Sequence, residues 1–130
     1  MNATPPPLAS IVFPQDAPVV TAFGDCATFH LTGAQTGGRC TMFTSVTPPG
    51  GGPPPHRHEN EDEWFLVLEG RAEFFHDGKW TEVSVGGSVF MQRGTVHNWV
   101  NKTNEVCIIA FVLVSAAPVK INGETLPPHG

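Results

Sequence analysis

His56 and His58 stand two residues apart, Glu63 follows five positions later through Glu59-Asn60-Glu61-Asp62, and His97 lies alone further down the chain. In extended backbone, residues two apart project to one face with Cα atoms about 6.5–7 Å apart. The two imidazoles can therefore converge on one ion, while Arg57 between them points the other way. Glu63 is an odd number of positions from the pair, so it reaches the same ion only if Glu59–Asp62 turns or bulges before Trp64 resumes a ladder. Glu61 and Asp62 compete with it for that role. Neutral imidazoles with a carboxylate suit a divalent transition metal. His97 follows a turn at Arg93-Gly94-Thr95 and can open a strand at the same end of a barrel. The sequence carries no phosphate-cradling loop, no Gly-x-Ser-x-Gly elbow and no Cys-x-x-Cys pair. His30, His76 and His129 are not expected to be ligands; His76 sits beside a hairpin tip.

The elements that must hold these residues are short. Cys26–Leu31 and Cys40–Thr47 read as strands, the second strongly β-branched and aromatic. Between them Thr32–Gly38 reads as a turn cluster. Pro48–Pro55 is a loop, because its prolines cannot donate to a ladder. Trp64–Leu68 and Arg71–His76 flank Glu69-Gly70, expected as a tight hairpin turn. Asp77-Gly78 suits a type I′ hairpin, in which both central residues take positive φ. Lys79–Val85 alternates, Gly86-Gly87 turns the chain, and Ser88–Gln92, Val96–Val100 and Val106–Val114 complete the set. Strands every eight to twelve residues with turn signals between them predict an all-β sandwich or barrel. Parity from Glu63 places Phe65 and Val67 inward, and parity from His97 places Trp99 and Asn101 inward. Phe65 and Trp99 are thus the nearer substrate-pocket candidates, with Phe90 and Met91 behind them.

Composition agrees. Of 130 residues, 14 are Gly and 13 are Pro, which excludes a mainly helical chain. Hydrophobic content of 40% with only 15% charged residues argues for one packed core rather than disorder. A net charge of −5 disfavours nucleic acid, which demands a basic face. No apolar run is long enough to span a bilayer as a helix, and no lysine or arginine cluster offers a membrane foothold. Three cysteines without close pairing suggest a reducing cytoplasm. Residues 1–20 are Pro-rich and read as an extended arm, suited to an edge strand or to embracing a partner in a homodimer; residues 21–130 read as a single barrel.

The order Gly50, His56, His58, Glu63, Gly70 resembles the first signature motif of the cupins. Gly86, Gln92, Gly94, His97 and Asn101 resemble the second, with Gln92 in place of the usual proline. The resemblance implies a small antiparallel jelly-roll β-barrel and a mononuclear divalent metal held by His56, His58, Glu63 and His97, with Glu63 chosen over Glu61 and Asp62 by its spacing to Gly70. Fe, Mn, Ni, Co and Zn all remain compatible with that set. Four protein ligands leave one or two positions open, unlike a closed structural site. The wording around Pro54-Pro55-His56 and Asp62–Gly70 is similar to cupins related to bacterial flavonol (quercetin) dioxygenases. That likeness implies O₂ chemistry on a small enolisable substrate, with Glu63 also the catalytic base. A non-redox isomerase or decarboxylase, and a cupin that binds a small molecule or metal without turnover, are the alternatives.

Overall fold

The computed structural model describes residues 9–22, 24–53, 60–115, 119–121 and 124–126. Eleven strands are present among them: β1 (Val19–Ala22), β2 (Asp25–Leu31), β3 (Cys40–Thr47), β4 (Glu61–Glu69), β5 (Arg71–His76), β6 (Lys79–Ser84), β7 (Ser88–Met91), β8 (Asn98–Val100), β9 (Cys107–Ser115), β10 (Val119–Ile121) and β11 (Glu124–Leu126). A six-stranded sheet has the order β1-β2-β3-β9-β4-β7, a three-stranded sheet the order β6-β5-β8, and β10 pairs with β11. Every ladder is antiparallel. The fold is an all-β jelly-roll barrel. No helix among the described residues is long and apolar enough to cross a membrane.

Side-chain alternation puts the core between the two larger sheets. Along β9, Cys107, Ile109 and Phe111 are buried while Ile108, Ala110 and Val112 are partly exposed. Phe65 and Val67 of β4 and Met91 of β7 join them, and Ala72, Phe74 and Trp99 face them from the smaller sheet. The rings pack edge to face, with Phe65 centroids 5.2 Å from Phe74 and 5.1 Å from Phe111. Such contacts add specificity to a burial term of about 1.5–3 kcal/mol per large apolar side chain.

Three local expectations need correction. Glu69-Gly70 does not close a hairpin, because β4 pairs with β9 and β7 whereas β5 pairs with β6 and β8. Gly70 is instead the corner at which the chain changes sheets. Its φ is +74°, and a Cβ there would lie 2.6 Å from the Val106 carbonyl oxygen. The polar run before Trp64 is not a turn through Asp62 either. The strand already begins at Glu61, and the ladder irregularity falls between Val67 and Glu69. Thr32–Gly38 contains a single helical turn, Gly33–Thr36, started by a Thr32/Gln35 capping box and stopped by Gly37 in the left-handed region. The Asp77-Gly78 turn takes the expected form, with φ values of 48° and 76°.

Candidate metal centre

Glu63 enters from β4 and His97 from the segment just before β8, where the two sheets meet. Both are buried, at 4% and 2% exposure. His97 Nε2 lies 3.0 Å from Glu63 Oε1, and His97 Nδ1 lies 3.0 Å from the Thr95 carbonyl oxygen. A carbonyl only accepts, so Nδ1 carries a proton and donates it to Thr95. That leaves Nε2 facing the carboxylate. Burial by itself lowers the affinity of His97 for a second proton. The hydrogen bonds to Glu63 and Thr95 and the charge of Glu63 together outweigh it, so the imidazole titrates above its ordinary value.

The pair fits a metal ion. Ligating histidines characteristically donate their other ring N–H to a carbonyl or carboxylate, which fixes the ring and its tautomer. Metal–nitrogen and metal–oxygen bonds of about 2.0–2.2 Å put neighbouring ligand atoms about 3 Å apart when they subtend a right angle, which is the spacing of Nε2 and Oε1. Among the described residues no three His, Cys, Asp or Glu side chains gather to hold an ion. His56 and His58, with Arg57 between them, lie outside the described residues. The described residues that precede them, 50–52, are held against the segment around Asn101. Gly50 N–H donates to the Asn101 carbonyl at 2.7 Å, and Asn101 N–H donates to the Gly51 carbonyl at 2.9 Å. A Cβ at Gly52 would lie 2.2 Å from the Trp99 carbonyl oxygen, so only glycine admits this approach. Asn101 is fully buried and holds the junction from the other side, with Nδ2 donating to the Thr47 and Glu105 carbonyls.

Asp62, the nearest rival of Glu63, is equally buried but committed elsewhere. Arg93 donates to it from its backbone N at 2.9 Å, from Nε at 3.2 Å and from Nη2 at 3.1 Å. Glu61 is half-buried at the first position of β4.

Glu63 lines an apolar cavity of about 280 Å³. Phe29, Phe43, Trp99 and Phe111 supply much of its wall, and Asp25 and Ser45 are its other polar members. Trp99 is thus on the cavity wall. Phe65 is fully packed in the core with its ring centroid 6.0 Å from that of His97, supporting the imidazole rather than lining the cavity. Met91 is buried opposite Glu63 in the β4–β7 ladder. Phe90 is a correction: it stands half-exposed on the outer face, 5.0 Å from the Trp64 ring, because its parity in β7 is opposite to that of Met91. Phe29, Phe43 and Asp25 were not singled out by the sequence, although strand alternation in β2 and β3 would have found them. Thr95 leaves no such signal, since it acts through its backbone. A larger groove of about 570 Å³ runs beside Gly70, Arg71 and Lys102, away from His97. Four of its charged side chains are engaged in the Arg71–Glu82 and Lys102–Glu73 ion pairs.

The family model for the cupin domain matches residues 43–114, more than half of the chain. The chain belongs to the cupin family. This cupin is 34% identical over 79 residues to the phomopsin biosynthesis cluster proteins C′ and D of Diaporthe leptostromiformis, a match covering 60% of the cupin and 41% of each relative. It therefore spans about two fifths of the curated relatives it matches. An RmlC-like cupin from Shewanella frigidimarina superposes with a TM-score of 0.69 at 16% identity, covering 83% of this chain and 92% of that one. A predicted oxalate decarboxylase from Thermotoga maritima also gives 0.69, at 20% identity over 82% and 99% of the two chains. At those identities the likeness establishes the shared fold.

Proposed function

We propose that this cupin holds one divalent transition metal through His56, His58, Glu63 and His97 and acts as a dioxygenase-like oxidoreductase on a small enolisable substrate. The contact between Glu63 and His97, with Nδ1 secured by Thr95 at the wall of an apolar cavity, carries the reading. A bound metal supplies Lewis acidity and, if redox-active, a path for O₂ chemistry. The chain supplies the rest. Glu63 accepts the proton of a substrate hydroxyl. Thr95 keeps His97 in one tautomer, and the aromatic wall excludes water and orients a ring. Ligand pockets commonly start near about 300 Å³, so this cavity suits one- or two-ring compounds better than a fully enclosed flavonol.

No lysine or arginine lines the cavity among the described residues, which weighs against phosphorylated or polyanionic substrates. Elemental analysis of protein purified without chelator tests the metal, with one ion per chain expected. Metal-dependent O₂ uptake with small enols tests the chemistry. Uptake absent with every substrate, or activity retained with Zn(II), returns the protein to the non-redox or binding alternatives.

We also propose residues 1–20 as an arm beside a barrel of residues 21–130, and a homodimer. Supporting the latter, the outer face of the six-stranded sheet exposes Met42, Val46, Trp64, Leu66, Leu68 and Phe90, all uncharged. Light scattering that returns a monomer mass overturns the dimer.

A further inference from the structure

Asp25 is the one polar group of the cavity wall that no other part of the site explains. It opens β2, is 8% exposed and lines the same cavity as Glu63. Ser45 Oγ and Thr47 Oγ1 both donate to its Oδ2, at 3.3 and 3.1 Å. Oδ1 is buried and has no hydrogen-bond partner among the described residues. Gly51 leaves the room for it, since a Cβ there would lie 3.0 Å from Oδ1 and 2.7 Å from the Thr47 methyl. A buried acceptor left without a donor costs about 1–3 kcal/mol, so Asp25 is short of one donor.

The strand register gives that donor its place. Glu63 pairs with Leu113, which pairs with Thr41, whereas Asp25 is bonded to Thr47. The two carboxyls thus enter from opposite ends of the ladder, three inward positions apart along β3. Between them lie the rings of Phe43 and Phe111, stacked at 4.6 Å, with Trp99 5.7 Å from Phe111. Asp25 and Glu63 are thus both on the cavity wall, with Phe29, Phe43, Trp99 and Phe111 supplying much of the rest.

We propose that Asp25 is a specificity-determining residue: it accepts a hydrogen bond from a hydroxyl at the far end of a flat aryl ligand whose other oxygen lies at Glu63 and His97. The inference rests on the ligand-binding reading above and narrows its substrate class to small aromatics hydroxylated at both ends. Desolvation raises the Asp25 carboxyl above the usual range, with the Thr47 and Ser45 hydroxyls opposing it, which agrees with a site that lacks one partner.

The test compares 2-naphthol with 2,6-dihydroxynaphthalene by titration calorimetry on Zn(II)-loaded protein, Zn(II) being inert to oxidation. The diol is expected to bind about tenfold more tightly beyond its statistical factor of about two. Asp25→Ala abolishes that preference. Thr47→Val, which removes a partner of Oδ2 and leaves Oδ1, preserves it. Equal affinities in the wild type, a preference that survives Asp25→Ala, or failure of both probes to bind at millimolar concentration overturns the inference. The wild-type comparison stands even where Asp25→Ala fails to fold. Failure of the metal reading is separate: it appears as protein without bound metal, and the same comparison on metal-free protein still decides the role of Asp25.

Discussion

Asp62 and Glu63 are consecutive acids of β4, both nearly inaccessible to solvent, and each faces a cationic or protonatable partner that arrives after β7. Asp62 meets the guanidinium of Arg93, which stays charged at any ordinary pH and saturates both carboxylate oxygens. Glu63 meets an imidazole that can give its proton up and offer a lone pair. One acid thereby fastens the turn after β7 to the sheet. The other faces a partner that can release its proton. Burial alone does not distinguish the two carboxylates; the reversibility of the partner does.

The comparison can be broken most sharply at the ligands. Glu63→Ala or His97→Ala should lower metal affinity by more than the roughly 10–100-fold that loss of an outer-shell partner costs. Elemental analysis of dialysed protein reads this, and full occupancy in either variant removes the basis of the metal centre. Arg93→Ala should leave metal stoichiometry intact but destabilise the fold by about 3–5 kcal/mol, because Asp62 is then a buried charge without its guanidinium. Urea unfolding measures the loss. Replacing both partners, Asp62→Leu with Arg93→Met, should recover most of it, since an apolar pair of similar volume avoids the desolvation cost. A double variant no better than Arg93→Ala would show that the pair does more than hold the turn.

The smallest effect separates the two acids by pH. In chelated protein His97 titrates above its unfolded value near 6.5. Its contribution to stability is therefore complete below about pH 6.5 and disappears as pH rises through the raised native value. Glu63→Gln should flatten that decline and Asp62→Ala should not, as followed by thermal melts from pH 5.5 upward. Metal binding has the opposite sense, because the second proton of His97 must leave before an ion can enter, so affinity rises over the same interval. A further fall in stability belongs to Cys107, whose thiol is pushed up to about 11 by burial and by the neighbouring Asp25. It begins near pH 9 and runs through 11, and Cys107→Ala should remove it.

Much of this was legible in one dimension. The Asp-Gly hairpin, β3 from Cys40 to Thr47 and the inward parity of Phe65, Val67, Trp99 and Asn101 follow from turn chemistry and a period of two, which are local properties. The spacing of the histidines and Glu63, with its likeness to the cupin motifs, pointed to the family. Alternation also predicts a buried Glu63, but it cannot say why Asp62 next to it is buried too. That depends on Arg93, thirty-one positions away, folding back over the outer side of β4.

What the sequence alone determined, then, was an all-β chain with its chemistry concentrated at a few acids and imidazoles. Tertiary structure decided which of them meet. It placed Glu63 against His97 and Asp62 against Arg93, made Gly70 a corner between sheets rather than a hairpin turn, turned Phe90 outward, and set Asp25 in the same cavity as Glu63 from the opposite end of the ladder. The reason is physical: strand periodicity assigns a side chain to a face, whereas partners across a barrel are fixed by sheet order and register, which no local pattern encodes.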